Sequence, residues 1–253
     1  LEEPYLIGSS SLEKITGTLH WLIRLRLANE CLVLNSTSAA ALLAVKTGDY
    51  ERLKNSLPPW LLFFNIAAYS YFPEDRIRGQ IKDMKRVTEK TGVKAVKETG
   101  GVSAAGLLAI VQQPSGEPYW KLRRKGACQD IFFITIYDKL EEQIQAMQRA
   151  ADSLGFASSD IGIYLQPIVQ GVNCHCEFNL FYDPQDAAET GRVKKLSNLA
   201  TRELLDRGAF FSRPYGENTD LIMNQDAATV AALKKVKAIT DPQNIMNPGR
   251  LCF

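Results

Sequence analysis

Apolar positions near the start of the chain recur with helical spacing. Leu12, Ile15, Leu19 and Leu22 fall on one side of a helix that would precede Cys31, and Ser10 with Glu13 has the spacing of a capping box. The β-prone run Cys31 to Leu34 follows, then a helix over Ser36 to Val45 and a largely buried strand from Trp60 to Tyr71. Three later segments share one pattern: an apolar strand ends in Tyr or Phe, an acidic or proline cluster starts a helix, and glycine stops it. The first runs through Phe72, Pro73 and Ile77, Ile81, Met84 and Val87 to Gly92. The second has strand residues Ile131 to Tyr137, Asp138 as the cap, Leu140, Ile144, Met147, Ala151 and Leu154 on one face, and Gly155. The third has Glu177 to Tyr182, Asp183-Pro184, then Val193, Leu196, Ala200 and Leu204, and Gly208. One-sided helices alternating with strands predict an α+β fold, a large, mainly antiparallel sheet with helices on one face in ferredoxin-like repeats.

The segment from Asp160 to Tyr182 is the most informative. Two β-prone runs flank Gln170-Gly171, and a turn there pairs Val169 with Val172, Gln166 with His175, Leu165 with Cys176, Tyr164 with Glu177, Ile163 with Phe178 and Gly162 with Asn179. Side chains alternate across a strand, so Ile163, Leu165, Cys176, Phe178 and Leu180 share one face, and Tyr164, Gln166, His175, Glu177 and Asn179 the other. The second face reads either as a solvated sheet surface or as a cavity wall offering an acid, a base and amide groups. The same alternation sends Cys174 and Cys176 one way and His175 the other, against a metal site built from that tripeptide. His20 reads as a boundary residue of the first helix.

The looser stretch from Thr91 to Cys128 reads as loops with short strands. Gly100, Gly101 and Gly106 lack a clear leading strand and a well-formed following helix, so they read as turn glycines and not as a phosphate cradle. Lys121, Arg123, Arg124 and Lys125 read as a solvated basic loop rather than an anionic partner site.

Composition narrows the partners. With 253 residues, 30 basic against 28 acidic side chains and a net charge of +2, the chain has no strong steering field toward nucleic acid, and no apolar stretch has the length of a membrane span. A small-molecule or protein partner fits this balance better. Five scattered cysteines form no disulfide framework and suit reduced thiols, and the first residues carry no signal-peptide pattern, so a cytoplasmic setting is expected. The chain opens on Leu1 and reads as part of something longer.

The run from Ser153 to Phe253 resembles the end of the 4-cresol dehydrogenase flavoprotein subunit and its vanillyl-alcohol oxidase relatives. The resemblance rests on the His-bearing strand ending Phe181-Tyr182-Asp183, on the aromatic segment with Arg213, and above all on Asp241-Pro242-Gln243-Asn244-Ile245-Met246-Asn247-Pro248-Gly249-Arg250. Leu19 to Val45, with Leu25-Arg26-Leu27, is similar to the family's first cap helix and strand. The resemblance implies an FAD-linked oxidase C-terminal domain: a cap over residues 1–240 and a tail over 241–253 that returns toward an FAD-binding domain outside this chain. It implies FAD, bound noncovalently because nothing near Leu122 matches a flavin-tethering tyrosine, and hydride transfer from a small aromatic alcohol, an alkylphenol-like molecule or a hydroxy acid.

His175 matches an active-site histidine and Arg213 an arginine that holds the substrate's phenolate oxygen, while Gln166 stands where the family has a glutamate and Ser212 where it has a phenol-binding tyrosine. The expected site is therefore His175, Glu177 and Tyr164 for catalysis, Arg213, Gln166 and Ser212 for substrate, and Asn247 and Arg250 toward the cofactor. The FAD-binding domain is the expected partner, with an electron-carrier subunit and a homodimer as further ones. The departures at Gln166 and Ser212 leave a second reading open, a non-catalytic binding or assembly module derived from such an enzyme.

Overall fold

The computed structural model describes all residues except 47, 115, 169–171, 215 and 250–253. In chain order the elements are β1 (Glu2–Ser9), α1 (Leu12–Arg24), β2 (Glu30–Asn35), α2 (Ser36–Leu43), α3 (Asp49–Ser56), β3 (Trp60–Ala67), α4 (Pro73–Thr91), β4 (Glu98–Thr99), β5 (Val102–Ser103) and α5 (Ala104–Gln112). Then follow β6 (Ala127–Ile136), α6 (Tyr137–Ser153), β7 (Ile161–Ile168), β8 (Asn173–Tyr182), α7 (Ala187–Leu205), α8 (Thr219–Met223) and α9 (Ala227–Thr240). Six strands form one sheet in the order β1-β3-β2-β7-β8-β6, antiparallel throughout. The α+β class and the large antiparallel sheet are as the sequence predicts.

The sheet is built from two halves of the same plan. In the first, β1-α1-β2-β3-α4 is followed by a single bridge from Val96 to Leu6; in the second, β6-α6-β7-β8-α7 is followed by a bridge from Phe210 to Ile134. Each half is thus a βαββα unit closed by a one-residue strand, and the halves meet edge to edge between β2 and β7. Only Val33↔Leu165 and Leu34↔Tyr164 pair across that seam. The Asn35 side chain extends it: its amide nitrogen donates to Ile161 O at 2.8 Å, and its oxygen accepts from Ile163 N at 2.9 Å and from Ser38 N, the start of α2.

One face of the sheet packs on α1, α4, α6 and α7 through a core that includes Ile7, Val33, Phe64, Phe133, Leu165 and Phe178, each fully buried. Helix stops fall where the glycines predict, with Gly92, Gly155 and Gly208 at φ 67°, 65° and 78°. Starts differ by a few residues. Ser11, not Ser10, caps α1 by accepting from Lys14 N, α6 begins at Tyr137 with Asp138 inside its first turn, and Asp186 caps α7.

The opposite face carries a second layer that periodicity does not reveal. Leu6, Leu32, Leu34, Leu61 and Phe63 meet Ala39 and Ala40 of α2, Leu53 of α3 and Leu107 of α5 in a smaller core. Helices α3 and α5 and strand β1 have no counterpart in the sequence reading, and α5 lies in the stretch read as loops. Gly100 and Gly101 form the tight turn between β4 and β5, where a Cβ on Gly100 would sit 2.7 Å from Ser56 O, so that glycine serves the packing of α3. This second layer covers β1, β3 and β2 and reaches β7 at Gly162 and β8 at Asn179, while Trp120 and Arg124 lie over Phe181; the end of β7, β8 and β6 that carries Gln166, His175 and Phe132 stays part-exposed.

Where the layers meet, Gly162 of β7 lies under α2. A Cβ there would stand 2.6 Å from Ser38 Oγ and 3.1 Å from Asn179 Cβ. Gly162→Ala is expected to lower stability by about 1–3 kcal/mol in urea unfolding, and adding Ser38→Ala should recover part of the loss. Equal stability of Gly162→Ala and the parent would show that α2 does not press on β7.

Candidate functional site on the open face of β6, β7 and β8

The register of β7 against β8 is the expected one from Gly162↔Asn179 to Gln166↔His175; the turn at Gln170-Gly171 and the Val169–Val172 pair lie outside the described residues. Strand β6 pairs on the other side of β8, setting Phe132 opposite Glu177, Asp130 opposite Asn179 and Ile134 opposite His175. Alternation therefore collects Tyr164, Gln166, His175, Glu177, Asn179, Asp130 and Phe132 on the open face. Cys174 and Cys176 point into the core, where burial pushes the Cys174 thiol up to about 12 and Cys176 well above its ordinary value.

The centre of this face is a buried ammonium. Lys121 is 7% exposed, and its Nζ lies 2.7 Å from Asp130 Oδ2 and 2.5 Å from Glu177 Oε1. Asn179 Nδ2 donates to Glu177 Oε1 at 2.6 Å and to Asp130 Oδ1 at 2.8 Å, and Ser38 Oγ of α2 donates to Asn179 Oδ1 at 3.2 Å. Burial opposes the Glu177 charge, but hydrogen bonding from His175 and the charge and hydrogen bonds of Lys121 and Asn179 outweigh it, holding the carboxyl down at about 2. Burial also works against the Lys121 charge, yet Glu177 and Asp130 raise its pKa above the ordinary lysine value.

Glu177 turns its second oxygen toward His175, whose Nε2 is 3.5 Å away. The His175 ring is part-buried between Tyr164, edge-on at 5.9 Å, and Phe132 at 5.8 Å. Tyr164 donates its hydroxyl hydrogen to Gln166 Oε1 at 2.7 Å, and burial followed by the Glu177 charge keeps its phenol protonated well above the usual range. A cavity of about 300 Å³ opens beside Tyr164 and Glu177, walled by Leu32, Leu34, Trp120 and Lys121. An imidazole beside a fixed carboxylate is an arrangement suited to general acid–base chemistry, and Tyr164 and Glu177 are the site residues that also line the cavity.

Arg213 comes to the same face by a different route from the one expected. It sits in an exposed bend after the Phe210 bridge, not on a strand, and its guanidinium lies 5.4 Å from the Phe132 ring centroid. Ser212 is exposed in the same bend, and Gln166 is exposed at the end of β7. Asn247 is exposed at φ 51° beyond α9, and Arg250 lies outside the described residues.

Sequence reasoning missed Lys121, Asp130 and Ser38. Lys121 was read within a solvated basic run, and the structure corrects that: Lys121 turns inward, Arg124 pairs with Asp160 and stacks on Tyr50, and Lys125 pairs with Glu189. The signal for Asp130 is its place in β6 two residues before Phe132, legible only once β6 is known to pair with β8.

Beyond α9, Asp241 accepts from Ile245 N and Met246 N, both at 2.9 Å, folding the tail into a turn. The arm formed by α9 and this turn leaves large apolar side chains in water, Ile239 at 80% and Ile245 at 71% exposure, with Val236 and Met246 beside them.

Fold and site together define an α+β domain whose sheet carries a complete core on one side and a part-covered, ionisable half on the other. The exposed arm carries the sequence match: residues 215–251 fit the family model of FAD linked oxidases, C-terminal domain. The fold is that of p-cresol methylhydroxylase, solved with substrate bound, at a TM-score of 0.76 and 15% identity over 100% of this chain and 53% of that one. It is also similar to alkyldihydroxyacetonephosphate synthase, at 0.58 and 13% over 99% of this chain and 45% of that one. No curated protein matches in sequence. The family match is confined to the end of the chain, and the chain spans about half the length of these two solved relatives.

The Glu177 carboxyl has a consequence for stability. Its folded pKa, about 2, lies below the ordinary 4.5, so its contribution is complete above about pH 4.5 and is lost as pH falls through 2. The loss should amount to roughly 3 kcal/mol, and Glu177→Gln should flatten that part of the pH–stability curve. An unchanged acid limb in the variant would place the linkage on other carboxylates.

Proposed function

We propose that this domain is the substrate-facing cap of an FAD-dependent oxidoreductase, with the open face of β6, β7 and β8 as a wall of the substrate cavity. The observation that carries the reading is the part-exposed end of β6, β7 and β8, on which a part-buried histidine is backed by an ionised glutamate. A merely solvated face has no use for a desolvated Lys121–Glu177–Asp130 cluster, because such burial costs several kcal/mol per ion unless each charge is met.

The residues fit the flavin-ring end of the cofactor better than its phosphate end. A part-exposed sheet end and the exposed apolar arm at Val236, Ile239, Ile245 and Met246 suit packing against a second domain, whereas the Gly100–Gly101 turn is occupied by α3. Asn247 and Arg250 are the residues we place toward that cofactor-bearing side. Leu122 offers no nucleophilic atom, in keeping with a noncovalent flavin. Bound FAD would supply the hydride acceptor.

His175 would take the proton from a substrate hydroxyl, and the fixed Glu177 charge would stabilise the imidazolium so formed. The Tyr164 oxygen, its hydrogen committed to Gln166, remains an acceptor that orients the substrate. Arg213 would grip a phenolate or a carboxylate, since its planar fork offers two parallel donors. The apolar walls of the cavity beside Tyr164 and Glu177 suit a small aromatic alcohol or alkylphenol-like substrate that extends from it across the face to His175 and Arg213, with a small hydroxy acid as the variant that Arg213 would also serve.

In the parent protein carrying its FAD-binding domain, His175→Asn should slow anaerobic flavin reduction by about 10²-fold or more with flavin content unchanged. A rate equal to the parent's would remove the proton-accepting role, and no reduction by any alcohol or hydroxy acid in the parent would favour the non-catalytic module. Arg213→Lys should weaken binding of an anionic or phenolic substrate, read as a raised Kd in the same traces. The isolated domain should purify colourless, because a flexible dinucleotide would have to be ordered without its phosphate anchors. Stoichiometric flavin absorbance in the isolated domain would contradict that.

A further inference from the structure

The basic run at 121–125 divides its side chains between two places. Lys121 serves the open face, while Arg123, Arg124 and Lys125 line a second cavity of about 490 Å³ between the end of α2, the start of α3 and the segment leading into β6. Lys46 enters it from the α2–α3 connection, and Ala41, Ala44 and the Tyr50 ring give it an apolar wall.

Charge in this cavity is one-sided. Arg124 is fixed by stacking 4.0 Å over the Tyr50 ring and by its bond to Asp160 at 3.2 Å, but Asp160 is already shared with Lys54 at 3.0 Å. Lys125 is matched by Glu189. That leaves Glu51 as the remaining acid on the lining against Lys46 and Arg123, neither of which is in an ion pair among the described residues. Arg123 commits only its Nε, to Pro118 O at 3.0 Å. The lining thus holds four cations, Lys46, Arg123, Arg124 and Lys125, and one acid, Glu51; with Lys125 matched by Glu189, and Asp160 outside the lining already balanced by Lys54, two positive charges are left over.

We propose that this cavity binds the phosphoryl group of a small organic phosphate. A phosphate monoester carries close to two negative charges at neutral pH and offers three acceptor oxygens, which suits a surplus of two cations, one of them a guanidinium with free terminal donors. The stacked Arg124 contributes a fixed positive field at no ordering cost, and the Ala41–Ala44–Tyr50 wall gives the organic part a surface to cover. A solvated basic loop would not hold a guanidinium 4.0 Å over a tyrosine ring with its carboxylate shared with a second cation. The cavity shares no lining residue with the one beside Tyr164 and Glu177, so it stands or falls independently of the oxidoreductase reading.

The test is calorimetric titration of the protein with phenyl phosphate, inorganic phosphate and sulfate at one ionic strength. Saturable binding of phenyl phosphate that weakens about tenfold or more in Lys46→Gln/Arg123→Gln, and not in the remote Arg86→Gln, is the expected result. Both substituted side chains are exposed and outside the core, so the variant should fold, as a matching circular dichroism spectrum and Tm would verify. Inorganic phosphate binding as tightly as phenyl phosphate, with the same loss in the double variant, would keep the phosphoryl site and identify the free ion as its occupant. Equal response to sulfate, no saturable heat, or indifference to the double variant would overturn the proposal.

Discussion

A lysine ammonium taken out of water is the constraint around which this half of the domain is arranged. Burying Lys121 would cost several kcal/mol if it stood alone, and Asp130 and Glu177 offset that cost only because each approaches within hydrogen-bond distance. Their remaining lone pairs are in turn occupied by Asn179, and Asn179 by Ser38. One polar network thereby ties the segment before β6, two strands and the first turn of α2. Because every member depends on the next, Glu177 has little freedom to turn, and the ring of His175 is framed by a charge that does not move.

The two halves of the sheet follow one plan but diverge at a single connection. Between β2 and β3 the chain inserts α2 and α3, while between β7 and β8 it turns back within a few residues. The insertion supplies the lid over its own half and stops at the seam, where Gly162 lets α2 approach without a Cβ in the way. The thinner cover over β8 and β6 is thus a consequence of asymmetry between repeats, and the buried polar residues there are tolerated because Lys121, Asp130, Glu177, Asn179 and Ser38 satisfy one another.

Local regularities in the sequence translate well into structure. Helix faces, glycine stops and the β7–β8 register depend on spacing within twenty residues or so, and the register needs only one turn to be placed. What is not legible depends on contacts between distant segments. Strand β1 alternates too weakly to stand out, and α5 has apolar residues nearly all round, so neither periodicity marks it. Lys121 shows the same limit at the site, since a lysine among arginines looks solvated until the pairing of β6 with β8 places two carboxylates in front of it.

Asn35 joins the halves in a way that gives the fold a chemical lifetime as well as a free energy. Its amide nitrogen is a donor to β7 while its oxygen accepts from β7 and from α2, so the role requires both ends of a carboxamide. It is followed by Ser36, a small residue that does little to shield the side-chain carbonyl from the next backbone nitrogen. Hydrolysis to aspartate would leave two oxygens where one donor is needed, setting a carboxylate against the carbonyl of Ile161. Ageing of a single amide would then weaken the short strand seam and leave α2 and α3, through Thr37, Ser38 and Lys54, to carry more of the join.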